Sequence, residues 1–259
     1  MKTEILNKLH EIEEMHDIRI LLAVESGSRA WGFASPDSDY DVRFVYVHRP
    51  QWYFKVSNER DTIEYMSDDG IMDFSGWELR KTLQLLRKTN PSLSDWLMTD
   101  CIYLANNDFL DDMRTANREY YNPIHAIYHY FSIARNHDNK YLSKNGCTLK
   151  KFLYFLRGLL ACEYIKTYWQ HPPVRFSQLV ESTVTDNDIK AKIHEIIELK
   201  SRSHESDKNQ VDASLTAYAY GIYNRLDTEI SDFRPDTAIP RDTTTLDAIM
   251  WKWASPSHE

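Results

Sequence analysis

Ser26-Gly-Ser-Arg29 follows an apolar run, and ten residues separate Ser28 from Asp39-Tyr-Asp41-Val-Arg43. On a strand, residues two apart share a face, so Asp39, Asp41 and Arg43 point to one side and Tyr40 and Val42 to the other. Two carboxylates held that close repel unless a cation lies between them. A hard divalent cation, Mg²⁺ or Mn²⁺, suits such a pair, because it takes oxygen ligands from one or two carboxylates plus substrate phosphates. A Gly-Ser turn offers backbone N–H groups and a hydroxyl to a phosphate. Together these residues describe metal-dependent chemistry on a nucleoside triphosphate.

Such a site calls for a third carboxylate on a neighbouring strand. Asp73, in Gly70-Ile-Met-Asp-Phe-Ser-Gly76, is the best candidate, with Met72 and Phe74 on the opposite face. Its role would be to complete the metal site and to orient or deprotonate the attacking hydroxyl. Glu64 is the weaker alternative, and Asp68 and Asp69 are assigned to a turn. Arg29 and Lys81 are secondary phosphate candidates. Farther on, Lys150, Tyr154 and Arg157 fall at i, i+4 and i+7 of a helix, a basic face around one aromatic ring. Beside it Leu149, Leu153, Leu156 and Leu160 would dock that helix. Trp31, next to the Gly-Ser turn, could stack near the nucleotide.

The elements that must carry these residues follow from periodicity. A helix is expected over 3–16 and strands over 18–25, 40–48, 60–66 and 70–75. A helical turn falls at 29–32, helices at 77–88 and 92–98, and a strand at 101–104. Beyond 106 the pattern is helical, over 106–119, 123–138, 148–170, 186–204 and 212–232, with a short helix at 245–252. Breaks fall at Asn145-Gly146, Pro172-Pro173 and the polar run 201–210. The expected fold is α+β: a mixed sheet with flanking helices over 1–105, the catalytic domain, then an all-helical nucleotide- and acceptor-binding domain over 106–259.

The 259 residues carry a net charge of −8, which argues against broad non-specific binding to nucleic acid. The charge is uneven: residues 121–175 hold eight Lys or Arg and only two acids, a basic island suited to a triphosphate or a short RNA end. No apolar stretch reaches the roughly 18–20 residues of a membrane span. The N-terminus has no apolar signal core, and Cys101, Cys147 and Cys162 show no metal or disulfide spacing. A cytoplasmic protein is expected.

The run Gly27-Ser-Arg-Ala-Trp-Gly-Phe-Ala-Ser-Pro-Asp-Ser-Asp-Tyr-Asp-Val-Arg43 resembles the nucleotidyltransferase superfamily typified by DNA polymerase β. More narrowly, it resembles the RNA repair pathway polymerase-β family, the RlaP or YcgL type. Asp73–Lys81, Asn90–Leu97 and Leu149–Arg157 are similar to the same family, so the likeness runs over about residues 18–185. The resemblance implies a polymerase-β-like mixed sheet, Mg²⁺ and a nucleoside triphosphate donor. Gly27 and Ser28 would hold the triphosphate, and Asp39, Asp41 and Asp73 would bind metal. Asp95 departs from the family's expected Glu at a position read as structural. The acceptor is left open between an RNA 3′ end or tRNA, a protein hydroxyl, and a small molecule such as an aminoglycoside. A non-catalytic nucleotide sensor is the alternative of a different class. Oligomeric state is not legible.

Overall fold

A computed structural model describes residues 1–57, 59–138, 148–203, 211–230 and 242–255. The Asn145-Gly146 break, Cys147, most of the polar run 201–210 and the start of the Pro- and Thr-rich tail lie outside the described residues. The chain divides into two units: Met1–Ala30, Asp39–Tyr121 and Ala238–Glu259 in the first, and Trp31–Ser38 with Asn122–Thr237 in the second.

The first unit is built on a five-stranded mixed sheet in the order β3-β4-β2-β1-β5. Its strands are β1 (Ile18–Glu25), β2 (Tyr40–His48), β3 (Thr62–Met66), β4 (Met72–Glu78) and β5 (Ile102–Ala105). β1 pairs antiparallel with β2 and β5, and β3 antiparallel with β4, while β2 and β4 run parallel. Helix α1 (Lys2–His16) lays Ile5, Leu9 and Ile12 on one face of the sheet, against Val42, Phe44, Tyr46 and Phe74. Gly76 is required there: a Cβ would stand 2.1 Å from the Phe44 ring.

The other face carries Leu21, Leu22, Val24, Val45 and Val47 under α3 (Leu79–Arg87), α4 (Pro91–Met98), α5 (Asn107–Tyr120) and the C-terminal helix Thr244–Ala254. Strand β1, between β2 and β5, is thus covered on both sides, which explains the apolar run Ile20–Val24. Strand β4 runs on through Trp77 and Glu78, two residues into the expected helix. The Glu78 carboxylate caps α3 by accepting the N–H groups of Arg80 and Lys81.

The expected domain boundary at residue 106 needs correction. Phe109, Leu110 and Met113 of α5, and Leu246, Ile249 and Trp253 of the C-terminal helix, belong to the same core as Leu22 and Val45. An amphipathic stripe specifies burial but not which surface it is buried against.

In the second unit, α6 (Pro123–His137) packs on α7 (Leu149–Tyr168), at a crossing where Gly158 keeps α7 clear of the Tyr130 carbonyl. Helices α8 (Phe176–Thr183), α9 (Asn187–Arg202) and α10 (Ala213–Ile230) complete it. Helix α8 has no counterpart in the sequence expectations. Its two turns, just after Pro172-Pro173, are too short to show a period. Trp31–Ser38 belongs to this unit: Phe33 is buried with its ring 5.5 Å from Phe176, and Ser35 Oγ accepts a hydrogen bond from the buried Lys200 at 3.4 Å. Among the described residues no helix is long and apolar enough to cross a membrane.

Candidate active site

The parallel register of β2 and β4 pairs Tyr40 with Met72, Asp41 with Asp73 and Val42 with Phe74. Phe74 and Val42 face the α1 core, so Asp41 and Asp73 emerge together on the other side, near the N-terminal ends of their strands. Arg43, two residues along β2, joins them. Its Nη2 donates to Asp41 Oδ1 at 2.7 Å and to Asp73 Oδ2 at 2.8 Å, and its Nη1 donates to the Asp73 carbonyl at 2.9 Å.

Gly27 completes the wall at Asp41. Its φ of +59° is one that L side chains rarely adopt, and a Cβ there would stand 2.3 Å from Asp41 Oδ2. Glycine is therefore required twice over, by backbone conformation and by close approach. Next to it the Ser26 amide donates to the Asp41 carbonyl at 2.9 Å, tying the turn to β2. Gly27–Trp31 forms a short helix, α2, with Ser28 buried. Arg29 is already engaged within the motif. Its guanidinium lies 3.7 Å from the Tyr40 ring centroid and its Nε donates to the Asp39 carbonyl at 3.0 Å. It braces the two ends of the motif against each other. The Asp39 side chain is exposed.

Two residues that sequence reasoning missed stand behind this wall. Glu25, the last residue of β1, is only 4% exposed. Its Oε1 accepts the Asp41 amide at 2.9 Å, and its Oε2 accepts the hydroxyl of Tyr103 on β5. Burial pushes the Glu25 carboxyl above its ordinary range, against the opposing pull of those two hydrogen bonds. A charged residue ending the apolar run Ile20–Val24 was the available signal for Glu25. Tyr103 depends on the pairing of β1 with β5, which local pattern does not carry.

The alternative carboxylates resolve as structural. Asp69 shapes its turn, accepting from Ser67 Oγ and the Ile71 amide. Glu64 is exposed and paired with Arg60. Lys81 pairs with Asp61 at 2.9 Å. Asp95 is buried on α4.

Of the predicted basic face on α7, Lys150 and Tyr154 are half-buried and Arg157 is only 4% exposed. The Arg157 guanidinium lies 4.3 Å from the Trp31 ring centroid and 5.9 Å from that of Tyr130, and Tyr154 meets Trp31 edge-on at 4.8 Å. Helical spacing placed the three residues on one face. It could not show that Trp31 covers Arg157, whose visible role is to hold the Trp31–Ser38 segment by cation–π stacking.

Among the described residues no group of three His, Cys, Asp or Glu side chains stands ready to hold a metal ion. The donor chemistry nonetheless fits a hard cation: Asp41 and Asp73 lie side by side with Asp39 two residues away, and a triphosphate would supply further oxygens.

Residues 1–251 match the family described as the RNA repair pathway DNA polymerase beta family, RlaP. The uncharacterised protein YcgL of Bacillus subtilis (strain 168) is 42% identical over 207 residues, covering 80% of this chain and 79% of that protein. A nucleotidyltransferase-like protein from Exiguobacterium sibiricum 255-15, of solved structure, aligns over 94% of this chain and 77% of its own at 13% identity, with a TM-score of 0.31.

Proposed function

The chain belongs to the RNA repair pathway DNA polymerase beta family, and from that membership and the geometry around Asp41 we propose that it is a Mg²⁺-dependent nucleotidyltransferase. It moves a nucleoside monophosphate from a triphosphate to an acceptor hydroxyl, the acceptor being an RNA 3′ end. The observation that carries the reading is the register placing Asp41 beside Asp73, with Gly27 packed against the Asp41 carboxylate. The family's description, with its reference to RNA repair, favours RNA over other acceptors.

Asp39, Asp41 and Asp73 would hold the ion, Mg²⁺ or Mn²⁺, which when bound neutralises triphosphate charge. The chain's own residues do the rest. Gly27, with no side chain, lets the Asp41 carboxylate pack against the turn, and Gly27 and Ser28 hold the triphosphate there. Arg29 fixes the spacing of the turn and Asp39. Asp73 orients the acceptor hydroxyl and takes its proton as the oxygen attacks the α-phosphorus. The bond from that phosphorus to the bridging oxygen breaks, and pyrophosphate leaves with the electron pair. Within the second unit, Lys150 and Tyr154 of α7 are the candidates for binding the nucleotide, with Arg157 set under Trp31. Catalysis is positioning plus charge neutralisation.

The test uses each of the four α-labelled nucleoside triphosphates with Mg²⁺ and a panel of tRNA, nicked RNA, protein and aminoglycoside. Label transferred to RNA, with pyrophosphate released, is the expected result. Transfer only to protein or aminoglycoside would reassign the acceptor, and triphosphate binding with no transfer to any acceptor would make the chain a sensor.

A further inference from the structure

Three clefts of the first unit run into one another where the C-terminal helix passes α3 and the short turn Pro50–Phe54. The first, lined by Arg19 and Arg49, shares Pro50 and Ala254 with the second, and the second shares Arg80 with the third, which Arg87 also lines. Together they make one groove with arginines toward both ends and the rings of Phe54 and Trp251 between them. Phe54 is 83% exposed and Trp251 75%, large apolar surfaces left in water. The C-terminal helix spends its apolar face on Leu246, Ile249 and Trp253 and turns Trp251 outward. The cations are held in place. Asp17 accepts from the Arg49 Nε at 2.7 Å, the Arg19 Nη2 donates to the Trp253 carbonyl at 3.2 Å, and the Arg80 guanidinium lies 5.3 Å from the Tyr53 ring centroid. Four arginines meet two aspartates, Asp17 and Asp247, along the groove, a positive surplus on a chain whose net charge is −8.

We propose that this groove binds single-stranded RNA and holds the acceptor strand; the acceptor role, though not the RNA binding, rests on the nucleotidyl-transfer reading above. Unpaired bases stack on exposed rings whatever their identity, and the phosphates between them pair with guanidinium groups, which are planar and permanently charged. A protein partner could cover Phe54 and Trp251, but it carries no regularly repeating anion to meet arginines at both ends of the groove. A duplex keeps its bases stacked inside and offers these rings nothing. A single strand supplies both the rings and the charge. The groove is also placed to serve the reaction. Helix α3 and the C-terminal helix cover the face of the sheet from which Asp41 and Asp73 emerge. Pro50–Phe54 follows the C-terminal end of β2 and Arg80 that of β4, whereas Asp41 and Asp73 lie near the N-terminal ends of those strands. Strand rise puts the two places on the order of 20 Å apart. The groove therefore grips the body of the strand and leaves its 3′ hydroxyl for the carboxylates.

The full-length protein is titrated against a fluorescein-labelled oligouridylate of about 12 nucleotides, read by fluorescence anisotropy over a range of salt concentrations. A fluorescent analogue of each nucleoside triphosphate is titrated in parallel. Wild type is expected to bind the oligonucleotide, and to bind an RNA duplex of the same length about tenfold more weakly. Trp251→Ala and Phe54→Ala should each weaken oligonucleotide binding about fivefold or more. Arg80→Glu/Arg87→Glu should weaken it about tenfold or more and flatten its salt dependence. Triphosphate affinity should stay at the wild-type value in every variant. Oligonucleotide binding unchanged in Trp251→Ala, or absent in wild type, would overturn the proposal. So would a wild-type dimer that RNA does not displace and Trp251→Ala dissolves, which would make the groove an interface between copies of the chain. Trp251 is exposed, so its variant decides the matter even if the arginine pair variant fails to fold. RNA bound in the groove with no label transferred from any triphosphate to any acceptor would overturn the nucleotidyltransferase reading and leave the RNA site standing. Transfer to RNA that the groove variants leave at the wild-type rate and affinity would overturn the groove alone.

Discussion

Asp73 sits opposite Asp41 in the parallel pairing of β4 with β2, and the Arg43 Nη2 donates to both carboxylates, at 2.7 and 2.8 Å. The arrangement needs only strand alternation and one register. Shifting β4 by a single residue would turn Asp73 into the α1 core and bring Phe74 out in its place.

Gly27 gives the sharpest single-site prediction. In Gly27→Ala the new Cβ meets Asp41 Oδ2 and the φ of +59° becomes strained. Unfolding in urea is expected to show a loss of about 1–2 kcal/mol, while nucleotidyl transfer falls by on the order of 100-fold as the Asp41 carboxylate is displaced. Transfer at the wild-type rate would separate Asp41 from the chemistry.

Glu25 is predicted to matter through the hydrogen bonds it accepts. Glu25→Ala leaves the Asp41 amide and the Tyr103 hydroxyl without their buried acceptor, at a cost of about 2–4 kcal/mol. Glu25→Gln keeps an oxygen for the Asp41 amide and is expected to restore most of the stability. Equal losses in the two variants, measured by thermal unfolding, would contradict this.

Lys150 and Arg157 are predicted to part ways. Lys150→Ala should raise the KM for triphosphate about tenfold, with stability within about 0.5 kcal/mol of wild type. Arg157→Ala removes a buried guanidinium from beneath Trp31 and should cost about 2 kcal/mol or more of stability. A pure KM effect at Arg157 would return it to the triphosphate.

His48 supplies a pH dependence remote from the aspartates. It stacks on Trp52 at 4.2 Å, and its Nε2 is buried with no hydrogen-bond partner among the described residues. Burial, aided by Lys55, pushes its pKa down to about 4. The unfolded chain, with His48 near 6.5, binds the proton first on acidification, so stability is full above about pH 6.5 and declines as pH falls toward 4. Denaturant unfolding of wild type at pH 7 and pH 5 should differ by on the order of 1 kcal/mol more than in His48→Leu. Identical pH slopes would contradict this.

Much of the site was legible because its parts are local. Gly27, Asp39, Asp41 and the face shared with Arg43 follow from a turn and a period of two, and Asp73 from an apolar-flanked acid on a later strand. What escaped was the pairing between distant segments. Nothing near Arg43 in the chain shows that Asp73 shares its guanidinium, and nothing near Glu25 points to Tyr103. The burial of Arg157 under Trp31 escaped for the same reason, since helical spacing reveals a face but not its cover. Helix α5 looks the same in sequence whether it packs on the sheet or among the later helices. Its contacts with Leu22 and Val45 decide the matter.

The central claim, that the aspartates carry nucleotidyl transfer, is tested most directly by one comparison. Wild type and the Asp39→Asn/Asp41→Asn double variant, matched for folding by circular dichroism, are given α-labelled nucleoside triphosphates, Mg²⁺ and RNA with a free 3′ hydroxyl. Label is predicted to appear on the RNA with wild type and to fall by at least 1,000-fold with the variant, on the order of 4 kcal/mol of lost transition-state stabilisation. Transfer by the variant at a rate near that of wild type would contradict the account.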